Sequence, residues 1–277
     1  MRRGQTGPSQ ACTDEPATEV DVLMYHSIST GPPPTCLPPA VFCAQLDVLA
    51  SHGYRTITMS ELAAWLRGER VLPSRTAVLT FDDGFADFAE VAFPELKARG
   101  MTATVYLPAA RIGGLEDWRG SLRWAPRPLL DWDQAAWLFA EGIEFGSHGM
   151  THADLTRLTP RALSLEIEGS QAILRERLGP SAGRSFAMPY GRTNGAVRRV
   201  VAKCYESAAS TCLSRASRRC DPFAIPRLEM YYFRDLGRWS AYLQGKAKGY
   251  LLLRRCLRRT RQLVRACLEP FWDRHGA

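Results

Sequence analysis

The sequence lacks the long apolar runs and the short signature motifs that assign a chain to several large protein classes. No stretch of 18 apolar residues occurs among the 277 residues, so no membrane-spanning helix is predicted. No GxGxxG follows the first predicted strand and no P-loop occurs, so a dinucleotide-binding fold is not expected. The eight cysteines form no CxxC pair, which argues against a zinc ribbon or a thioredoxin motif.

The N-terminal segment also lacks the apolar core of a secretory signal. Residues 1–20 are polar and contain proline and glycine, and we expect them to form a disordered arm. The cysteine content is far below that of a disulfide scaffold. These features predict a cytoplasmic protein with free thiols.

The net charge of +8 is concentrated in one segment. Residues 1–235 contain 26 cationic and 26 acidic side chains, whereas residues 236–268 contain nine cationic and no acidic ones. Apolar residues recur there at helical spacing, so residues 236–277 are predicted to form a basic amphipathic helical tail. Without an accompanying aromatic platform, no nucleic-acid partner is expected.

Three interpretations of this basic tail remain open. The helix can pack on the rest of the protein with its arginines in solvent. Alternatively, residues 246–268 can contact an anionic membrane, which would place the protein at the inner membrane face. A third interpretation is that the charge steers an anionic substrate.

Short apolar strands and helices alternate between residues 21 and 235. Strands are predicted at 21–26, 55–58, 77–81, 102–107, 142–146, 185–188, 207–211 and 223–228. Helices are predicted around residues 42–49 and at 61–66, 86–99, 133–141, 160–178 and 194–203, with Ser60 and Thr159 as N-caps of the second and fifth. About seven βα units predict a parallel α/β barrel over residues 21–235 rather than an open sheet.

Polar residues follow four of these strands, where the active sites of α/β barrels lie. The four strand ends contain His26, Asp82–Asp83, Ser147–His152 and Met188–Gly191. Because all four ends face one barrel mouth, we expect these side chains to meet.

The HxxxH spacing of His148 and His152 predicts a metal site. Both imidazoles can point at one divalent ion, and neutral imidazole is a good ligand for Zn²⁺ and related ions. A carboxylate from the Asp82–Asp83 pair would complete a two-histidine, one-carboxylate set. The other aspartate would then be available as a base.

These residues resemble the motifs of the polysaccharide deacetylase family, also called the NodB-homology domain or carbohydrate esterase family four. The resemblance covers about residues 21–230 and rests on Thr80–Gly84 (TFDDG), Ser147–His152 and the Pro-Tyr-Gly core of Ala187–Gly191. It implies a distorted (β/α)7 barrel similar to a TIM barrel, followed here by the basic C-terminal helix.

The resemblance also implies a role for each motif residue. Asp82 is implied as general base, and the backbone N–H of Tyr190 as an oxyanion donor. One divalent metal is implied, with zinc favoured over cobalt, nickel or manganese. Its implied ligands are Asp83, His148 and His152.

The third motif departs from the family pattern. An arginine usually stands two residues before the proline and orients the base, but Ala187 occupies that position here. Arg227, beside the last predicted strand, is the candidate replacement, and Arg192 is a weaker one.

The general acid also departs from the commonest pattern. The usual late histidine is missing, because His275 in the tail is the only histidine late in the chain. The branch of the family that acts on poly-N-acetylglucosamine has its acid in an N-terminal Met-Tyr-His strand. Met24–Ile28 (MYHSI) resembles that strand, so His26 is predicted as the general acid.

Candidate substrate contacts lie in the third motif and in one long loop. Pro189 and Gly191 flank the tyrosine of the motif. Trp118 and Trp124 lie in the Gly- and Trp-rich loop 111–130 and can stack on a sugar ring.

Together these residues predict a metal-dependent hydrolase that removes an N-acetyl group from an amino sugar or a glycosylated small molecule or precursor. Two alternatives remain. The same machinery can hydrolyse a formamide or another linear amide. The domain can also be a catalytically inactive sugar-binding module, which only Ala187 and the missing late histidine support.

Overall fold

The fold is a curled sheet of parallel strands with helices around it. The computed structural model describes residues 15–31, 33–118, 125–247, 249–258 and 260. The strands are β1 (Glu19–Tyr25), β2 (Arg55–Ile57), β3 (Thr76–Phe81), β4 (Thr104–Leu107), β5 (Glu144–Ser147), β6 (Ser185–Ala187), β7 (Ser207–Ala209), β8 (Ala216–Ser217) and β9 (Leu228–Glu229). The α-helices are α1 (Pro39–Ser51), α2 (Met59–Leu66), α3 (Phe93–Ala98), α4 (Trp132–Ala140), α5 (Pro160–Ser164), α6 (Ser170–Leu178), α7 (Gly195–Cys204) and α8 (Leu236–Leu243).

The strand order confirms the predicted distorted (β/α) barrel. Parallel pairing runs from β7 through β6, β5, β4 and β3 to β1. The segment 225–229 joins the two ends of this row of strands. Ile225 forms a bridge to Ala209 of β7, and β9 pairs with β1. β2 pairs with the first half of β3, and the short β8 runs antiparallel to the start of β1.

Two neighbouring strands set the position of the barrel mouth. β3 is buried along its whole length, and β1 is buried except at its first residue. Their register places Tyr25 beside Phe81, and the N–H of Asp82 donates to the carbonyl of Tyr25 at 3.0 Å. The residues that follow the two strands, His26 and Asp82, therefore leave the sheet side by side.

Some predicted boundaries of helices and strands differ from those of the structure. α2 begins at Met59 and its N-cap is Thr58, not Ser60, because Thr58 and Glu61 exchange side-chain and backbone hydrogen bonds in a capping box. Thr159 does cap α5, as predicted. The strand predicted at 223–228 is reduced to the bridge at Ile225 and the two residues of β9.

Two helices contain a π-helical segment that the sequence pattern does not reveal. Residues Phe88–Ala92 precede α3, and residues Leu165–Gly169 lie between α5 and α6. Such insertions are frequent near functional sites.

The C-terminal segment packs on the barrel where the structure describes it. In α8, Trp239 is fully buried and its Nε1–H donates to the carbonyl of Gln45 at 3.2 Å. Residues 249–258 are helical, and residues 261–277 of the predicted tail lie outside the described residues, as do residues 1–14 of the predicted arm. The described helices include none with the length and apolar character needed to cross a bilayer.

The arginines of the helix 249–258 face the barrel rather than solvent. Arg258 donates to the carbonyl of Thr211 at 2.9 Å, whereas Leu252, Leu253 and Leu257 are exposed. For these residues the predicted polarity of the helix, with arginines in solvent, is wrong, because each of Arg254, Arg255 and Arg258 has a hydrogen-bond partner on the protein. Contact with an anionic membrane stays a prediction.

Candidate active site

Three predicted metal ligands meet at the barrel mouth. Asp83 Oδ1 lies 3.4 Å from Nε2 of His148 and 3.3 Å from Nε2 of His152. All three side chains are buried, and their ligand atoms lie within 4.8 Å of one another. A tetrahedral zinc site with bonds of about 2.0–2.1 Å separates neighbouring ligand atoms by ~3.3 Å. The spacing therefore fits a divalent ion of that size.

The surrounding contacts also fit a metal. Nδ1 of His148 lies 2.8 Å from the carbonyl of Ala187, and donation to it turns Nε2 towards Asp83. Burial lowers the pKa of His152, which favours the neutral imidazole that binds metal. Burial opposes charge on Asp83, but the two histidines more than offset it and hold the pKa of this carboxyl well below its usual value.

The backbone is strained at this site. Among the described residues, the only non-glycine residues with positive φ are Asp83, His152 and Tyr190, at 74°, 63° and 58°. This left-handed conformation is uncommon outside glycine. Gly84 continues the turn at φ 67°, and a Cβ there would lie 2.5 Å from Cδ2 of Leu107. The turn therefore needs glycine at position 84.

Asp82 forms a buried, bidentate ion pair with Arg227. Nη1 and Nη2 of Arg227 donate to the two carboxylate oxygens at 2.6 and 2.8 Å. The guanidinium is also fixed by bonds to the carbonyl of Ser210 and to Oγ1 of Thr80. Burial opposes ionisation of Asp82, but the adjacent charge of Arg227 lowers its pKa below the usual value. Asp82 is therefore an oriented carboxylate beside the metal ligands.

Arg227 thus lies where the sequence prediction requires the replacement arginine. Arg192, the weaker candidate, instead forms an ion pair with Asp154. Ala187 is buried and leaves no side chain that could reach Asp82 from β6. The contact joins residues 145 positions apart, which sequence order alone could not show.

His26 lines the same cavity as Asp82 and Asp83. Glu229, in β9, lines it too, and the β1–β9 register places Glu229 beside Met24. Burial raises the pKa of Glu229, while the charges of His26 and Arg258 partly oppose that rise. Glu229 was not predicted as a site residue, although it directly follows the strand predicted at 223–228 just as Asp82 follows the strand predicted at 77–81.

The third motif and one tryptophan complete the wall of the cavity. Tyr190 packs edge-on against His152, with ring centroids 4.6 Å apart. Trp118 stacks on the same imidazole, also at 4.6 Å. Gly191 lines the cavity, whereas Pro189, the other predicted contact of this motif, is buried and is not among the described lining residues. Trp124 lies outside the described residues.

Two carboxylates position the loops that present these groups. Glu166, in the second π-helical segment, accepts from the N–H groups of Met150 and Thr151 at 2.8 and 3.0 Å, and from the Thr151 hydroxyl. Asp87 accepts from the hydroxyl of Ser27 and from the N–H of Ile28, immediately after His26. Neither Asp87 nor Glu166 was predicted as a site residue, because each lies within a predicted helix and belongs to no motif.

The resulting cavity has a volume of about 260 Å³. It brings together the four polar strand ends expected from the sequence. It also contains Thr211, Glu229 and Arg258, which were not predicted. A carboxylate, a histidine and a metal-ligand set around one small cavity can activate water and protonate a leaving group.

Comparisons with known proteins point to one family. Residues 69–206 match the polysaccharide deacetylase family. Over 234 residues the chain is 28% identical to YxkH of Bacillus subtilis (strain 168), a protein assigned to the polysaccharide deacetylases; the match covers 84% of this chain and 78% of that protein.

Solved structures show a similar fold. The Streptococcus pyogenes deacetylase PplD, in complex with acetate, aligns with a TM-score of 0.67 and 25% identity over 76% of this chain and 92% of its own. IcaB from Ammonifex degensii aligns with a TM-score of 0.68 and 23% identity over 81% of this chain and 97% of its own. At that identity, the second likeness concerns the fold alone.

Proposed function

We propose that this chain, whose residues 69–206 match the polysaccharide deacetylase family, is a hydrolase that uses one divalent metal, preferably zinc, to remove the N-acetyl group of an amino sugar. The proposed substrate is an N-acetylated sugar or a glycosylated small molecule or precursor. The main support is the convergence of Asp83, His148 and His152 beside the oriented carboxylate of Asp82.

Asp83, His148 and His152 would bind the ion, which when bound polarises the acetyl carbonyl and lowers the pKa of the attacking water. Asp82 accepts a proton from that water, and Arg227 orients its carboxylate. The N–H of Tyr190 donates to the developing oxyanion.

His26, at the end of the neighbouring strand β1, completes the proposed reaction. Its protonated imidazole gives a proton to the amine as the C–N bond breaks, because an unprotonated amine is a poor leaving group. Trp118 and Gly191 would contact the sugar from the cavity wall.

Acetate release from N-acetylglucosamine oligomers tests this function. We expect activity in zinc-loaded protein, loss on treatment with a chelator, and recovery when zinc is restored. His148→Ala should abolish both stoichiometric zinc and acetate release, because one of three ligands is removed. His52→Ala is the matched control, since His52 contacts Ser240 away from the cavity.

Other outcomes separate the alternatives. Formate release from N-formyl analogues without acetate release would favour a deformylase. Zinc-loaded protein that binds N-acetylglucosamine oligomers but hydrolyses no amide would favour an inactive binding module. Stoichiometric zinc in His148→Ala would contradict the proposed ligand set.

A further inference from the structure

The helix 249–258 brings two arginines to the rim of the candidate active site. Nη2 of Arg255 donates to the hydroxyl of Ser214 at 2.7 Å, and its Nε–H donates to the carbonyl of Leu213. Nη1 of Arg258 donates to the carbonyl of Thr211 at 2.9 Å. Both guanidinium groups are therefore held against the barrel by uncharged partners.

A second cavity lies beneath these arginines and adjoins the first. Its volume is about 430 Å³, and Gly191, Thr211 and Arg258 line both cavities. The polar side chains of its wall are the hydroxyls of Ser210, Thr211 and Ser214, a thiol, and the two guanidinium groups. None of the described residues that line this cavity is a carboxylate, so the described part of its wall has a net positive charge.

The two guanidinium groups keep donors available for a ligand. Each has five N–H donors in a planar fork, and the described hydrogen bonds use one donor of Arg258 and two of Arg255. Of the carboxylates in the first cavity, Asp82 is paired with Arg227 and Asp83 faces the two histidines. The charge of Arg258 acts on the third carboxylate, Glu229, and lowers its pKa. Burial outweighs this effect, so the pKa of Glu229 is raised overall.

We propose that Arg255 and Arg258 form an anion subsite that binds a phosphoryl or carboxylate group of the substrate while its acetamido group occupies the first cavity. The planar fork of arginine matches both groups bidentately. The inference rests on the proposed deacetylase function and narrows it: the preferred substrate is an N-acetyl sugar that carries a negative charge.

Two anionic N-acetyl sugars and a neutral one test this subsite. The kcat/KM for acetate release is compared for N-acetylglucosamine 1-phosphate, N-acetylmuramic acid and neutral methyl N-acetylglucosaminide. We expect the full-length zinc protein to prefer an anionic substrate, and Arg258→Gln to reduce that preference about 10-fold to 100-fold, as for lost hydrogen bonds to a charged group. The better of the two anionic substrates shows which combination of anionic group and attachment position fits the subsite.

Arg254→Gln is the matched control for this experiment. Arg254 lies on the same helix, but it bonds to the hydroxyl of Tyr250 and lines neither cavity. This variant removes the same charge and should keep the preference for the anionic substrate. Arg258→Lys should retain part of the preference, because the charge remains while the fork is lost. An equal loss in Arg254→Gln and Arg258→Gln would contradict a specific subsite.

Binding of inorganic phosphate separates the subsite from catalysis. Calorimetry on the zinc-loaded chain should show that Arg258→Gln and Arg255→Gln weaken phosphate binding about tenfold or more, whereas Arg254→Gln does not. If phosphate binding is the same in wild type and Arg258→Gln, the subsite is wrong even if every substrate is deacetylated. If no substrate is deacetylated but phosphate binding still depends on Arg258, the proposed function fails and the anion site remains.

Discussion

At the scale of single residues, the site combines strained backbone with buried charge. Asp83, His152 and Tyr190 adopt positive φ, and each contributes to the cavity. Such residues cost about 1–3 kcal/mol each and persist only where the surrounding structure fixes them. The conformations that position two metal ligands and one backbone N–H therefore destabilise the fold.

The ion pair between Arg227 and Asp82 leads to a prediction about pH dependence. Arg227→Gln removes the cation that lowers the pKa of Asp82, so burial then raises it. The protonated acid cannot accept a proton, so the acidic limb of kcat/KM against pH should move to higher pH. We also expect kcat to fall about 10²-fold from misplacement of the base. Steady-state kinetics across the pH range measure both effects.

Arg227→Lys separates charge from geometry in the same experiment. It keeps the cation but cannot form the two parallel bonds, so kcat should fall while the acidic limb moves less than in Arg227→Gln. Arg227→Gln should also lose about 3–5 kcal/mol of stability, because it leaves an unpaired buried carboxylate. An unchanged pH profile in Arg227→Gln would show that Asp82 is not the titrating base.

His26 leads to a second prediction at this scale. His26→Gln removes the proposed proton donor and should lower kcat about 10²-fold to 10⁴-fold. The zinc content should stay stoichiometric, because His26 is not among the three ligand residues. Normal zinc with normal kcat would mean that His26 has only a structural role.

Some residues of the candidate site could be predicted from the sequence, and others could not. The rule that active groups follow barrel strands was enough to select His26, Asp82 and His148. It could not select Arg258, because the contact of the helix 249–258 with the barrel depends on packing between distant segments. The same rule would also have selected Glu229, which directly follows the strand predicted at 223–228, but that strand end was not included among the four.

At the scale of elements, the two π-helical segments have a common role. The first follows Asp87, which binds the loop after His26, and the second contains Glu166, which binds the loop between the two metal-ligating histidines. Helical periodicity predicted both regions as ordinary helices, because a π-helical segment of five residues is too short to show a period of its own. Elements were therefore predictable, whereas the side chains that couple them to the site were not.

Glu166→Gln tests this coupling. The amide still fits the space, but it accepts weaker hydrogen bonds from Met150 and Thr151, so the loop that holds His148 and His152 should loosen. We expect zinc affinity to fall about 10-fold to 100-fold, as for other groups that orient metal ligands. Competition with a chromogenic chelator measures the affinity.

Glu168→Gln is the matched control, because Glu168 lies on the same π-helical segment but is exposed. It should leave zinc affinity unchanged. Equal affinities for wild type and Glu166→Gln would show that the loop geometry does not depend on this carboxylate.

At the scale of the whole molecule, part of the positive charge lies at the same end of the barrel as the candidate active site. The body of the chain is neutral, and nine cationic residues follow it between positions 236 and 268. Because two of these residues, Arg255 and Arg258, line the second cavity, part of this charge lies beside the candidate active site. The total charge was predictable from composition, but the direction in which the arginines point required the structure.

This arrangement predicts a salt dependence that differs between substrates. Attraction between exposed charges weakens as the Debye length shortens from about 30 Å at ~0.01 M salt to about 8 Å at ~0.15 M. The kcat/KM for N-acetylglucosamine 1-phosphate should therefore fall several-fold over that range, while that for neutral methyl N-acetylglucosaminide should stay nearly constant. A parallel decline for both substrates would point to a general effect of salt on the enzyme. In Arg258→Gln the salt dependence should become shallower, since one of the charges nearest the bound anion is removed.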